Sequence, residues 1–165
     1  EQLVGCPVKE DACAWDFYCG VGHIALIMAR AGYRVLGLEE NPSSIEDAKY
    51  NARMNNFDGK KTYFISGRVE DILSSDQTML PKWAQTPQII IVNPSRRGLV
   101  DSVCDFLLDM KNPRSSHKII YIACDVESLA RDLKKLVAGG YCLRQVESFD
   151  MFAQTDKLEW LVVLS

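Results

Sequence analysis

Short apolar runs alternate along the chain with segments of helical periodicity. Five of the runs predict strands, at residues 14–18, 33–38, 62–65, 88–92 and 118–123. Four further segments predict helices, at residues 24–31, 42–55, 99–110 and 126–137. Because strands and helices alternate, we expect parallel strands joined by right-handed crossovers, with helices on both faces of the sheet. The pattern predicts a doubly wound, Rossmann-like α/β fold.

The end of the chain departs from this alternation. Two more strands are predicted at 141–149 and 158–164, and no helical segment separates them. We therefore expect an antiparallel hairpin at one edge of a seven-stranded sheet. Residues 74–87 have the least regular pattern and are predicted to form a mobile loop.

Composition limits the classes of protein that remain possible. The chain has 165 residues, 47% of them hydrophobic, and a net charge of −3, which predicts one globular domain and only weak nucleic-acid binding by the domain itself. No apolar run approaches the roughly 18 residues of a membrane span. The six cysteines lack disulfide-scaffold or metal-site spacing. They predict reduced thiols in an intracellular protein without a metal.

Two candidate ligand-binding features follow the first two strands, at the edge where open α/β sheets bind ligands. Gly20 and Gly22 allow a tight turn that brings the backbone close to a ligand. Glu39 follows the second strand, and its carboxylate can accept both ribose hydroxyls of an adenosine group. The spacing also fits a dinucleotide such as NAD. Asp16 favours S-adenosylmethionine, because a carboxylate suits a cationic amine better than a pyrophosphate.

Three later segments carry candidate chemistry. Asn93 and Arg96 follow the fourth strand, where an amide and a guanidinium could meet a substrate and its phosphates. Cys124 lies between the fifth strand and a helix, and helix N-termini favour thiolates, so Cys124 is a candidate nucleophile. Glu159, at the start of the last strand, is either a base or an ordinary edge-strand acid.

Taken in order, these segments resemble the RNA uridine-C5 methyltransferases, and most closely the bacterial rRNA branch. The family's D-L-F-C-G-x-G appears as DFYCGVG at 16–22, and its G-[VI]-E as GLE at 37–39. Its [DN]-P-P-R-x-G appears as NPSRRG at 93–98, and its S-C-N as ACD at 123–125, followed by LARD at 129–132. Its closing D-x-F-P-x-T-x-H-x-E appears as DMFAQTDKLE at 150–159.

The resemblance implies a class I S-adenosylmethionine-dependent methyltransferase fold and the formation of 5-methyluridine in rRNA or tRNA. It implies that Cys124 is the nucleophile that adds to uracil and that Glu159 is the base that removes the proton from carbon 5. It places a further set of residues around the cofactor: Tyr18, Gly20, Gly22, His23, Glu39 and Asn93. Asn93, Arg96 and Phe152 are the predicted substrate contacts.

Two alternatives remain open beside this interpretation. Ala123 and Asp125 replace the Ser and Asn that flank the family's nucleophile, and Lys157 replaces its His. These changes fit a catalytically degenerate RNA-modification partner with the same fold. An amino-methyltransferase of the Asn-Pro-Pro-aromatic kind is the other alternative, although Arg96 stands at its aromatic position. We expect residues 1–165 to be the catalytic domain of a longer protein whose RNA-binding part lies elsewhere.

Overall fold

A computed structural model of the chain describes residues 8–9, 11–57, 59, 61–75, 80–111, 117–151, 154–155 and 157–165. It divides into two compact units, Glu1–Gln88 and Ile89–Ser165. The described residues include seven strands, three in the first unit and four in the second. The predicted α/β class and strand number are therefore confirmed.

The first unit is a parallel βαβαβ arrangement with the strand order β3-β2-β1. Its elements are β1 (Cys13–Phe17), α1 (His23–Arg30), β2 (Arg34–Glu39), α2 (Pro42–Met54), β3 (Thr62–Ser66), α3 (Val69–Ser74) and a 3₁₀ helix (Lys82–Ala84). Asn41 caps α2 by accepting the Ser43 N–H at 2.9 Å, and Pro42 occupies the first helical position, where it needs no N–H. Every residue of β1 is buried, as expected for a strand covered on both faces.

The second unit combines parallel and antiparallel pairing in the strand order β4-β5-β7-β6. Its elements are β4 (Ile89–Val92), α4 (Asp101–Met110), β5 (Lys118–Ala123), α5 (Val126–Ala138), β6 (Leu143–Phe149) and β7 (Glu159–Leu164). Strands β4 and β5 are parallel, whereas β7 is antiparallel to both β5 and β6. The predicted terminal hairpin is confirmed, and β7 is its inner strand.

The structure adds elements that the sequence pattern does not predict. The six-residue helix α3 buries only Val69 and Leu73, one turn apart, which is too short a stripe to register as a period. Within the predicted mobile loop, Leu80 and Ala84 are buried, and the Ala84 carbonyl accepts the Trp15 indole N–H at 2.7 Å. None of the helices in the described part of the chain is long and apolar enough to span a bilayer.

Candidate functional site

The loop between β1 and α1 has a conformation that ordinary residues rarely adopt. Tyr18, Gly20 and Gly22 all have positive φ values, 62°, 53° and 86°. Because Tyr18 carries a side chain, its left-handed backbone is strained, and such strain is concentrated at ligand sites. The loop ends at Gly22, which precedes α1, and no side chain caps that helix. His23 lies exposed at the same end.

The two glycines of this loop have different surroundings. A Cβ built on Gly20 would meet no heavy atom within 4 Å, so its backbone borders open space that a ligand could fill. A Cβ on Gly22 would lie 3.2 Å from Ala48 Cβ and 3.3 Å from a ring carbon of Phe64. A side chain at Gly22 would therefore crowd α2 and β3, whereas Gly20 is the position open to a ligand.

Glu39 joins the end of β2 to this loop. Its Oε2 accepts the Gly20 N–H at 3.0 Å, and its Oε1 accepts the Asn41 N–H at 2.9 Å. Each carboxylate oxygen can accept a second hydrogen bond, so two acceptor sites remain for ligand hydroxyls. Asn51 of α2 supports the same loop by donating to the Val21 carbonyl at 3.0 Å. The structure therefore brings Gly20 and Glu39, two of the predicted cofactor contacts, into direct contact.

Asp16 lies beneath the loop, inside β1. Its side chain has no exposed surface, and neither carboxylate oxygen has a hydrogen-bond partner among the described residues. Burial raises the pKa of Asp16 to about 7, the charge of Glu39 raises it further, and the Ala25 N–H acts in the opposite direction. A carboxylate this poorly solvated favours a nearby cation. Because its oxygens are covered, Asp16 could influence a ligand only through its charge.

Replacing Asp16 by asparagine is expected to stabilise the ligand-free chain at about pH 8. The unfolded carboxyl titrates near 3.8 and the folded one near about 7, so the folded state loses stability as the pH rises between these values. Three pKa units correspond to at most about 4 kcal/mol, so the expected Tm increase is no larger than roughly 10–15 °C.

The measurement is thermal unfolding of Asp16→Asn and of the wild type at about pH 5 and about pH 8. The exposed acid Asp47 supplies a matched control in Asp47→Asn, which should leave Tm unchanged. A Tm for Asp16→Asn that falls equally at both pH values would show that Asp16 is not a charged, buried group.

Cys124 and Asp125 form the junction of β5 and α5 in the second unit. Cys124 directly follows Ala123, the last residue of β5, and is a half-buried free thiol. Asp125 is the N-cap of α5 and accepts the Ser128 N–H at 2.8 Å. That bond, with the Ser128 hydroxyl and the positive charge of Arg96, lowers the pKa of Asp125. Asn and Asp cap helices equally well, so Asp125 can do the capping that an Asn would do there.

Removal of this cap is expected to destabilise α5 at its Cys124 end. Asp125→Ala should lower Tm by about 3 °C at neutral pH, whereas Asp125→Asn should change it little. Capping lowers the pKa of Asp125. The Tm difference between the wild type and Asp125→Ala should therefore persist above the ordinary pKa of 3.8 and vanish as the wild-type carboxyl becomes protonated at lower pH. Thermal unfolding across that range checks this, and equal losses in both variants would contradict it.

Glu159 starts β7, the strand beside β5. The antiparallel register pairs Ile119 with Leu164 and Ala123 with Trp160. Cys124 directly follows Ala123, and Glu159 directly precedes Trp160. The two predicted catalytic side chains therefore lie at the same end of adjacent strands, and both are half-buried.

The segment after β4 carries the remaining predicted contacts of this unit. Asn93 follows β4 directly and is exposed. The Gly98 N–H donates to the Ser95 carbonyl at 2.9 Å, closing a turn with exposed Arg96 and Arg97 at its tip. Arg96 lies close enough to α5 for its charge to act on Asp125. Phe152, the other predicted substrate contact, lies outside the described residues.

The sequence pattern assigns no role to the ion pair of exposed Arg131 and buried Asp132. Asp132 lies on the apolar face of α5 and is 2% exposed. A charged residue at a core position of an amphipathic helix is the signal that could have found it. Among the described residues, no three His, Cys, Asp or Glu side chains are grouped as metal ligands.

A family model described as tRNA (uracil-5-)-methyltransferase matches residues 6–165. The chain is 38% identical over 160 residues to an uncharacterized RNA methyltransferase of Gloeobacter violaceus, covering 97% of this chain and 32% of that protein. It is 37% identical over 153 residues to an uncharacterized RNA methyltransferase of Bacillus cereus, covering 91% of this chain and 30% of the relative. The chain thus spans about a third of the length of these relatives.

A solved structure has the same fold over nearly the whole chain. It is the Pyrococcus abyssi tRNA (uracil-54, C5)-methyltransferase in complex with S-adenosyl-L-homocysteine. The TM-score is 0.75 at 26% identity, and the match covers 99% of this chain and 36% of the other. The fold is that of a class I methyltransferase, as the sequence predicts.

Proposed function

The chain belongs to the tRNA (uracil-5-)-methyltransferase family, and on that basis we propose that it transfers a methyl group from S-adenosylmethionine to carbon 5 of a uridine in rRNA or tRNA. The observation that carries this proposal is the β5–β7 register. It brings a thiol and a carboxylate, Cys124 and Glu159, to the same end of two adjacent strands.

A thiol and a carboxylate are the two groups that this reaction needs from the protein. Carbon 5 of uracil is too weak a nucleophile to accept a methyl group directly. Addition of the Cys124 thiolate to carbon 6 forms a carbon–sulfur bond and moves electron density onto carbon 5. After methylation, Glu159 removes the proton from carbon 5, and the electron pair of that bond expels the thiolate and restores the double bond. The enzyme is thereby returned to its starting state.

The first unit supplies residues that fit S-adenosylmethionine. Open space beside Gly20 leaves room for the ligand, and the free acceptor sites of Glu39 suit its ribose hydroxyls. The buried charge of Asp16 favours its cationic methionine group. Tyr18, Gly22 and His23 belong to the same loop, and Asn93 is a further proposed contact. When bound, the cofactor supplies a sulfonium-activated methyl group to carbon 5.

RNA is the proposed partner, and its target uridine has to leave its stack for a thiol to reach carbon 6. Exposed Arg96 suits a phosphate or a base edge, and Asn93 suits the polar edge of uracil. Phe152 is proposed to contact the unstacked base. The Asp125 cap argues against a degenerate site, because the residue after the nucleophile retains the structural role that Asn would have.

The cofactor part of the proposal is tested by thermal unfolding with S-adenosylmethionine and, separately, with NAD. Ligand at about 100 times its dissociation constant stabilises by about 2.7 kcal/mol, which corresponds to a Tm shift of about 5–10 °C. We expect a shift with S-adenosylmethionine alone, and its loss in Glu39→Ala. Glu39→Gln is the matched variant, because it keeps one acceptor oxygen for the Gly20 N–H and should retain part of the shift. A shift with NAD alone would contradict the proposal.

A further inference from the structure

A buried carboxylate in α5 holds the loop that follows β4. Asp132 Oδ2 accepts the Leu99 backbone N–H at 2.7 Å and the Tyr121 hydroxyl at 2.6 Å. Its Oδ1 accepts the Arg131 Nε–H at 2.9 Å. Both oxygens of a nearly inaccessible carboxylate are therefore satisfied, and one of the bonds comes from loop backbone.

Arg131 extends the same connection to the loop carbonyls. Its Nη2 lies 2.8 Å from Asp132 Oδ1 and donates to the Arg97 carbonyl at 2.8 Å and to the Leu99 carbonyl at 3.3 Å. A planar guanidinium can hold a carboxylate and backbone carbonyls together, which the single ammonium of lysine does less well. Arg131 and Asp132, the loop clamp hereafter, thus bind the segment 97–99 from its carbonyl and amide sides.

Gly98 lets this contact become close. It has a φ of 73°, and a Cβ built on it would lie 2.5 Å from Asp132 Oδ2 and 2.6 Å from Arg131 Nη2. A side chain at this position would displace the clamp or the loop. The close approach therefore depends on glycine both for the backbone conformation and for space.

The clamped segment is the base of the turn that presents the proposed RNA contacts. The Ser95–Gly98 turn has Arg96 and Arg97 exposed at its tip, and Arg96 acts electrostatically on Asp125, next to Cys124. The clamp itself lies on α5, which begins just after Cys124. Helix α5 therefore begins next to Cys124 and also contains Arg131 and Asp132, which hold the turn.

We propose that Arg131 and Asp132 are positioning residues that fix the 95–98 turn so that Arg96 meets the substrate RNA at a set place relative to Cys124. This rests on the proposed function, because it assigns the turn to RNA. Neither residue needs to touch the substrate, since each holds the loop through the loop's backbone.

The test separates positioning from plain stabilisation with two variants. Arg131→Gln removes the bonds to the loop carbonyls, whereas Tyr121→Phe removes a buried bond to Asp132 and leaves the three bonds to the loop backbone in place. Both should lower Tm. Only Arg131→Gln should weaken binding of a short, uridine-rich single-stranded RNA, and in a protein that turns over it should lower kcat/KM by about tenfold to a hundredfold, mainly through KM.

A double variant tests whether Arg131 acts through Arg96. Arg96→Gln alone should weaken RNA binding, and Arg131→Gln should add little in that background, because the residue it positions is already lost. Additive losses of RNA affinity in the double variant would overturn the proposal. So would losses of RNA affinity in Tyr121→Phe and Arg131→Gln that are proportional to their losses of Tm.

Hydrogen exchange of the Leu99 amide gives a readout that does not need RNA. Its protection should fall about tenfold or more in Asp132→Ala, with β5 amides much less affected. Unchanged protection would refute the clamp whatever the activity. If the wild type binds and methylates no RNA, the proposed function fails and the positioning role falls with it. If the wild type binds RNA and Arg131→Gln binds it equally well, only the positioning role fails.

Discussion

Cys124→Ala is expected to abolish 5-methyluridine formation, with a loss of about a thousandfold or more in rate. Without the thiol, no group can add to carbon 6 and activate carbon 5. The measurement is transfer of a labelled methyl group from S-adenosylmethionine to RNA by a protein that contains this chain. Binding of S-adenosylmethionine should survive, because the residues proposed to hold most of it belong to the first unit.

The chain offers a matched control for this loss. Cys142 is an exposed free cysteine just before β6, so Cys142→Ala removes a thiol away from the β5–α5 junction and should leave the rate unchanged. Normal methylation by Cys124→Ala would contradict the covalent mechanism. Equal losses in both variants would indicate a general effect of thiol removal.

Glu159→Gln is expected to stop the same reaction at a later point. The amide cannot take the proton from carbon 5, so the rate should fall by about 10²–10⁴-fold while the RNA stays bonded to Cys124. Denaturing electrophoresis should then show a protein–RNA species with ordinary uridine, and mass spectrometry should find it methylated. The double variant Cys124→Ala/Glu159→Gln should form no such species.

The control for Glu159 is an acid on the neighbouring strand. Glu147 of β6 is exposed and pairs with Leu161, so Glu147→Gln should turn over normally without accumulating an adduct. An unchanged rate in Glu159→Gln would remove Glu159 as the base. Loss of both product and adduct would instead assign it to an earlier step.

The sequence predicts much of the frame that holds these residues, because strands and helices alternate with clear periods. The bounds of β5 are predicted to the residue, and α5 differs by one residue at its end. Helix α3 escapes prediction because its buried stripe is a single pair of residues. The pairing of β7 with β5 also escapes, because a terminal hairpin fixes its own two strands and not the strand that lies beside them.

The candidate site likewise contains residues that the sequence predicts and contacts that it does not predict. Gly20, Glu39 and Cys124 lie at or just after strand ends, and the sequence pattern predicts where the strands end. The Asp132 bond to the Leu99 N–H joins residues 33 positions apart, so it depends on packing that no local pattern contains. The open space at Gly20 and the packing role of Gly22 are likewise properties of the folded chain.

RNA carrying 5-fluorouridine, incubated with the protein and S-adenosylmethionine, tests the covalent mechanism directly. Fluorine on carbon 5 cannot leave as a proton does, so a covalent mechanism stops with the methylated base bonded to the nucleophile. We expect mass spectrometry of the digested protein to find this adduct on Cys124 alone. Methylation of ordinary uridine by the same protein without any adduct, or an adduct on another residue, would contradict it.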